Sequence, residues 1–270
     1  MTVDFTAGHL PLWMFFSRPG AATAWTSKGL IQAVETDRPR FDHDPETGEA
    51  WGLLFEPAAI NAVPNSRDVT GWLADGIVPS FDLRSEQQLS GTTIRARKPR
   101  STLISRTDLH RDNYTFSSWI RRLDGYGRVG LTIDGGQSWT DVSASLLGRE
   151  WVRVEVSRGL ARPAVGFYLE ESGDAIAVDF CQLEEGRFAT SEIITLGTSG
   201  FRRGEKILIH HDEDTFLEIS WPSLAAIREE RHLLALSVVP IDRSAVEITV
   251  RTKSTQYVLR NDAANEQPPV

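Results

Sequence analysis

Apolar side chains recur at every second position through much of the chain: Val129, Leu131, Ile133; Val152, Val154, Val156; Val165, Phe167, Leu169; and Ile176, Val178, Phe180. Successive side chains of a strand point to opposite faces, so a period of two is the pattern of a strand with one face buried. No long run with a helical period interrupts the series. Turn signals separate its members: Asp124-Gly125, Asp134-Gly135-Gly136, Gly148, Gly159 and Ser172-Gly173-Asp174. Glycine supplies the dihedrals that tight turns require, and Asp and Ser bond their own backbone there. The segment 114–120 adds another strand. Short strands joined by tight turns, each with one apolar face, need a second sheet to cover that face. The expectation is therefore an all-β protein built on a sandwich of two packed sheets over residues 66–198.

The remainder divides around that region. Residues 1–65 show little periodicity; Phe15, Phe16, Trp25, Leu30, Ile31 and Val34 are separated by Gly, Pro and Ser, as in short strands and turns lying over a surface. Asp44-Pro45-Glu46-Thr47-Gly48 reads as a turn, with Pro setting one dihedral and Gly permitting a positive one. Residues 199–270 read as a small β-rich domain or oligomerisation cap. A hairpin is expected from 206–211 and 215–220, then a short helix with Ser220 at its cap, Pro222 in its first turn and Ile227 on its apolar side. Strands are expected at 233–239, 246–250 and 256–259, followed by a polar, frayed tail at 261–270.

Charge and composition narrow the function classes. The 270 residues carry a formal net charge of -8, which lacks the basic footprint of a nucleic-acid binder. Arg95, Arg97, Lys98 and Arg100 read as a solvated loop. Cys181 is the single cysteine, so no intrachain disulfide and no cysteine-based zinc site can form. It lies in an apolar strand, where an inert thiol is expected. The apolar patch at 10–16 follows Asp4 and no basic stretch, and it is too short to span a bilayer. Folding in a cytoplasm, without membrane insertion, is the expectation.

Motifs that suggest chemistry have plainer explanations. Gly125-x-Gly127-x-x-Gly130 matches a dinucleotide fingerprint, but that fingerprint needs a following helix N-terminus, and an alternating strand begins instead. Asp42, His43 and Asp44 read as a hydrated turn, and His210-His211-Asp212-Glu213-Asp214 as a hairpin tip, since neighbouring residues on a strand face opposite ways. Glu170, Glu171, Asp179, Glu184 and Glu185 read as solvated turn carboxylates; a glycosidase would need two of them facing across a cleft. No Ser/His/Asp order and no Cys/His pair stands out, so no catalytic residue is assigned and no enzyme is expected.

Two stretches resemble a known family. Residues 182–195, QLEEGRFATSEIIT, resemble the end of the carbohydrate-binding-module-like jelly roll of phage and prophage tail or fibre proteins, where a QLE-x-G-x-x-ATS-x-I-x-T pattern recurs. Residues 22–66 are similar to a run in tail and fibre proteins of phages and gene-transfer particles. That run is carried here by Ala22-Thr23, Pro39-Arg40-Phe41, Asp44-Pro45, Thr47-Gly48, Gly52-Leu53-Leu54, Glu56-Pro57, Asn61 and Asn65-Ser66. Relatives have Arg-Thr-Asn before the final Asn-Ser, where this chain has Ala59-Ile60-Asn61. Ser118-Trp119 and Trp151–Val154 match two further strands of the module.

The resemblance implies a jelly roll and a virion appendage subunit: a tail fibre, tail-tip or head-spike protein that binds bacterial surface polysaccharide. It further implies a homo-oligomer, expected to be a trimer, in contact with other virion proteins and assembled in the host cytoplasm. The alternatives are a structural connector or decoration protein that uses the jelly roll for protein contact, and a polysaccharide-degrading enzyme. Jelly-roll modules of this kind often hold a structural calcium ion near the first and last strands, and Asp179 is the residue placed to ligate one; no other cofactor is implied. Aromatic faces stack on sugar rings while polar groups at the rim take the hydroxyls. On that basis Trp139, with Gln137 and Asp141 beside it, Tyr126 on the preceding turn, and Trp72 are the candidate glycan contacts. Trp119 and Trp151, on strands, are expected in the core.

Overall fold

A computed structural model describes residues 5–12, 14–81, 87–107, 109, 110, 112–160, 162–212, 215–220, 247–252 and 255–260. The helix expected after Ser220, the strand at 233–239 and the tail at 261–270 lie outside the described residues. The chain divides into two compact units, Ala59–Phe201 and Met1–Ala58 with Arg202–Val270.

Strands in chain order are β1 (Met14–Ser17), β2 (Ala22–Trp25), β3 (Ile31–Val34), β4 (Arg40–His43), β5 (Ala50–Leu54), β6 (Ala59–Asn61), β7 (Leu73–Asp75), β8 (Ile77–Phe81), β9 (Thr92–Ala96) and β10 (Ser101–Arg106). They continue with β11 (Asp112–Asp124), β12 (Val129–Thr132), β13 (Thr140–Asp141), β14 (Val152–Leu160), β15 (Ala164–Leu169), β16 (Ala175–Glu185), β17 (Gly200–Arg202), β18 (Lys206–Asp212), β19 (Thr215–Ser220), β20 (Glu247–Thr252) and β21 (Thr255–Arg260). Among the described residues the only helical turns are 3-10 turns at Phe5–Ala7 and Ser143–Leu146. The protein is all-β.

The unit Ala59–Phe201 is a jelly-roll sandwich. Its front sheet has the order β13-β12-β15-β10-β7 and its back sheet the order β14-β11-β16-β9-β8. Every pairing within the two sheets is antiparallel. From β10 to β16 the chain crosses repeatedly between sheets, which covers the apolar face of each strand with the other layer. The core lies between them: Leu103, Val129, Leu131, Phe167 and Leu169 from the front meet Ile94, Phe116, Ile120, Val154, Ile176 and Val178 from the back. Phe116 and Phe167 touch edge to face across the gap, centroids 5.7 Å apart. Trp119 and Trp151, expected in the core, are buried but are not part of it: Trp119 on β11 neighbours the core residue Ile120, and Trp151, just before β14, lies under the Arg121 guanidinium, 5.0 Å from the ring centre.

The alternation fails in the middle of β16. Phe180 adopts a positive φ of 45°, and the register with β11 shifts between Ser117 and Trp119. A bulge inserts one residue and reverses which side chains face inward. Cys181 and Leu183 therefore join the core, whereas Phe180 turns away and lies under the Arg67 guanidinium, 4.5 Å from the ring centre.

In the other unit β1 pairs with β18 in a three-stranded sheet with β19, and β2–β3, β4–β5 and β20–β21 are hairpins. The two ends of the chain, read from sequence as separate pieces, thus share one unit. A buried charge cluster holds them. Glu205 accepts Arg40 Nε at 2.6 Å and Arg18 Nη1 at 3.1 Å, and Glu56 meets Arg40 at 3.0 Å and Arg202 at 2.7 Å. Burial lowers the affinity of Arg40 for its proton, but the charges of Glu205 and Glu56 outweigh it and the pKa rises. The residues 44–48 form the expected turn: the Asp44 carboxylate accepts the N–H groups of Glu46 and Thr47, and Gly48 has φ 74°. Asp42 is not hydrated as expected. It is buried, and its Oδ1 accepts the Trp25 N–H at 2.7 Å.

Candidate functional site

Because Leu103, Phe167 and Leu131 point into the core, their strand neighbours point out from the front sheet. Register places these neighbours in two rows across the strands. One row is Asp75, Thr102, Tyr168, Gly130 and Asp141; the next is Leu73, Ile104, Gly166 and Thr132. The glycines leave the middle of this face without side chains, and Trp139 fills the space. A Cβ at Gly130 would lie 3.3 Å from Trp139 Cβ, and one at Gly136 would lie 3.1 Å from Trp139 Cζ2 and 3.3 Å from Ile104 Cδ1. The indole packs against Tyr168, ring centres 5.4 Å apart at 40°. Arg128 covers another part of Tyr168 at 5.4 Å and approaches Glu170 at 3.8 Å. Tyr168 is thereby buried, while Trp139 keeps part of its surface in water.

The loop that carries Trp139 is knitted by Asp134. Its carboxylate accepts the Thr132 hydroxyl at 2.8 Å, the Ser138 N–H at 3.0 Å, the Ser138 hydroxyl at 2.6 Å and Arg158 Nη1 at 2.5 Å. Burial pushes its pKa up, but the bonds from Ser138 and Thr132 and the Arg158 charge prevail and hold it below the usual carboxylate value. Asp141 is exposed; bonds from the Ser143 hydroxyl and N–H lower its pKa.

Trp139 and Asp141 thus lie beside β12, Asp141 opposite Gly130 on β13, and Gln137 is exposed on the loop before them. Tyr126, 89% exposed, tips the turn that leads into β12. Trp72 stands apart from this group. Its ring stacks on Phe167 at 5.8 Å and 12° and meets Phe116 at 6.4 Å, so it belongs to the edge of the core. Sequence reasoning missed Tyr168 and Arg128. The outward position of Tyr168 was legible from its alternation with Phe167 and Leu169, but its meeting with Trp139 was not.

The carboxylates read as solvated include two that are buried and engaged. Asp179 binds Arg67 through both oxygens, at 2.9 and 2.7 Å, and accepts the N–H groups of Ser90 and Phe180. Both oxygens of the residue expected to ligate calcium are thus engaged by a guanidinium. Glu184 accepts Gln182 Nε2 at 2.6 Å, the Thr190 N–H at 2.9 Å and the Thr190 hydroxyl. Burial raises its pKa despite these bonds. Among the described residues no group of three His, Cys, Asp or Glu side chains is placed to hold a metal ion. Cys181 is buried, which pushes its thiol up to about 12 and leaves it unreactive near neutrality.

The residues of the two resembling stretches meet in space. Asn61 donates to the carbonyls of Cys181 and Ile193 and accepts from Val63 and Leu183. Ser66 and Thr195 exchange hydrogen bonds, and Asn65 accepts the Gly197 N–H. Gln182 binds the carbonyls of Thr190 and Ser191 and accepts the Ile193 N–H at 2.7 Å; Glu192 accepts the Trp119 indole N–H at 2.8 Å. These side chains tie the exit segment to β16.

No family model matches the chain, and no curated protein matches it. Among solved structures it is similar to the C-terminal CBM6 of LamC, a marine laminarinase from Zobellia galactanivorans, at 11% identity over 47% of this chain and 97% of that one, TM-score 0.30. It is also similar to the carbohydrate-binding module CBM6cm-2 from Cellvibrio mixtus lichenase 5A in complex with cellotriose, at 12% identity over 47% and 95%, TM-score 0.30. A third is the CBM22-1 xylan-binding domain from Paenibacillus barcinonensis Xyn10C, at 14% identity over 48% and 94%, TM-score 0.33.

Proposed function

We propose that this protein is a non-catalytic subunit that binds polysaccharide through the outer face of its front sheet. One observation carries the reading: Trp139 lies over Gly130 against Tyr168, partly exposed, with the exposed Gln137 and Asp141 two residues before and after it in the chain. A sugar ring is apolar on its faces and polar at its edge, and a held indole with amide and carboxylate groups close to it in the chain matches both. The expected ligand is a bacterial surface polysaccharide and the setting a virion appendage; the support for that setting is the resemblance of residues 22–66 and 182–195 to phage and prophage tail or fibre proteins. A homotrimer in contact with other virion proteins follows from the same reading, since shallow sugar contacts become strong adhesion when copies are linked.

A second reading is a connector that uses this surface for protein contact. Leu73, 59% exposed, and Tyr126, 89% exposed, favour it. Immobilised capsular polysaccharides and lipopolysaccharide O-chains separate the two. The purified protein is expected to bind at least one, and Trp139→Ala to abolish that binding while leaving the melting temperature within a few degrees. Binding unaffected by Trp139→Ala would remove the site. Release of reducing sugar from a bound polysaccharide would overturn the non-catalytic assignment.

A further inference from the structure

We infer that Asp134 and Arg158 are positioning residues that hold Trp139 ready for its ligand; this rests on the reading of Trp139 as the glycan platform. Trp139 follows a loop that turns on two glycines with positive φ, Gly135 at 73° and Gly136 at 86°. Such a turn is sterically easy for glycine and by itself leaves the following residue poorly fixed. What fixes it is the side chain of Asp134, nine-tenths buried, which takes the N–H and hydroxyl of Ser138, the residue just before the indole.

Arg158 completes the arrangement from the other sheet. It lies on β14, the edge strand of the back sheet, and its Nη1 reaches both Asp134 Oδ2 and Ser138 Oγ at 2.5 Å. The loop is also held to β15, because Gly135 donates to the Ala164 carbonyl at 2.8 Å. Charge-assisted bonds of this kind are stronger than neutral ones and fix direction as well as distance. Ordering a loop when the ligand arrives weakens binding, so a loop ordered beforehand strengthens it.

The test uses the full chain labelled with 5-fluorotryptophan. The Trp139 fluorine resonance is identified by its loss in Trp139→Phe. It is expected to shift and broaden in Asp134→Asn and Arg158→Ala, and to recover towards wild type in Arg158→Lys; an unchanged resonance in the first two overturns the inference whether or not any glycan binds. The second arm measures affinity for the capsular polysaccharide or O-chain that wild type binds most tightly. Asp134→Asn is expected to weaken it about tenfold in wild type and less than twofold in the Trp139→Phe background, because residues acting through one another are not additive. Equal weakening in both backgrounds overturns the inference. Should Asp134→Asn fail to fold, Ser138→Ala and Arg158→Ala carry the same cycle. If wild type binds no polysaccharide, the platform reading falls, and the fluorine spectra alone decide whether the pair holds the ring.

Discussion

Glu184 and Asp134 are both buried carboxylates, yet pH should act on them in opposite directions. Burial dominates at Glu184 and raises its pKa, so the folded state holds a proton that the unfolded chain releases more readily. Its favourable contribution is present below the unfolded value, near 4, and is lost as pH rises through the raised folded value. Asp134 has a lowered pKa, so its contribution is present above the unfolded value and is lost as pH falls through the folded one. Chemical denaturation across pH should show both effects. Glu184→Gln is expected to flatten the loss of stability on the way up to neutrality, and Asp134→Asn to flatten the loss in acid. Removing Gln182 is a separate test. Its amide serves Glu184, Thr190, Ser191 and Ile193, so Gln182→Ala is expected to cost about 1–3 kcal/mol through the buried groups it leaves without partners.

At the scale of the element, the bulge in β16 decides more than any regular strand. It turns Phe180 outward from the core and sets Asp179 against Arg67, Ser90 and the backbone of Phe180. Gly91 has to be glycine here: its φ is 55°, and a Cβ would lie 2.1 Å from the Val178 carbonyl oxygen. Gly91→Ala is expected to destabilise the sandwich strongly by thermal unfolding, since strain and overlap act together at one point. Arg67→Ala would leave a buried carboxylate without its cation, and a loss of about 3–5 kcal/mol is expected in urea denaturation. The alternation Ile176, Val178, Phe180 was readable and its direction was right for two residues of three. Nothing local announces a bulge, because Asp179, beside the extra residue, is held by Arg67, 112 positions away in the chain.

For the whole molecule, the grouping of the two chain ends is the largest departure from a linear reading. β18 pairs with β1, and Glu205 closes on Arg18 and Arg40. Glu205→Ala is expected to destabilise that unit by about 3–5 kcal/mol, as removal of one member of a buried ion cluster does. Limited proteolysis should show faster cleavage within residues 14–58 while the polysaccharide binding proposed for the sandwich is retained. Loss of binding in that variant would mean that the sandwich is not the binding unit.

Local periodicity determined what local forces control. The strands of the sandwich and their turns at Asp124-Gly125 and Asp134-Gly135-Gly136 follow from neighbours within a few residues. The tertiary structure alone decided which aromatics meet and which carboxylates are neutralised. Trp139 finds Tyr168, Trp72 finds Phe167, Asp179 finds Arg67, and Asn61 finds Ile193. Each of these joins residues far apart in the chain. Such a meeting depends on strand order and register across two sheets, and no window of sequence contains that information.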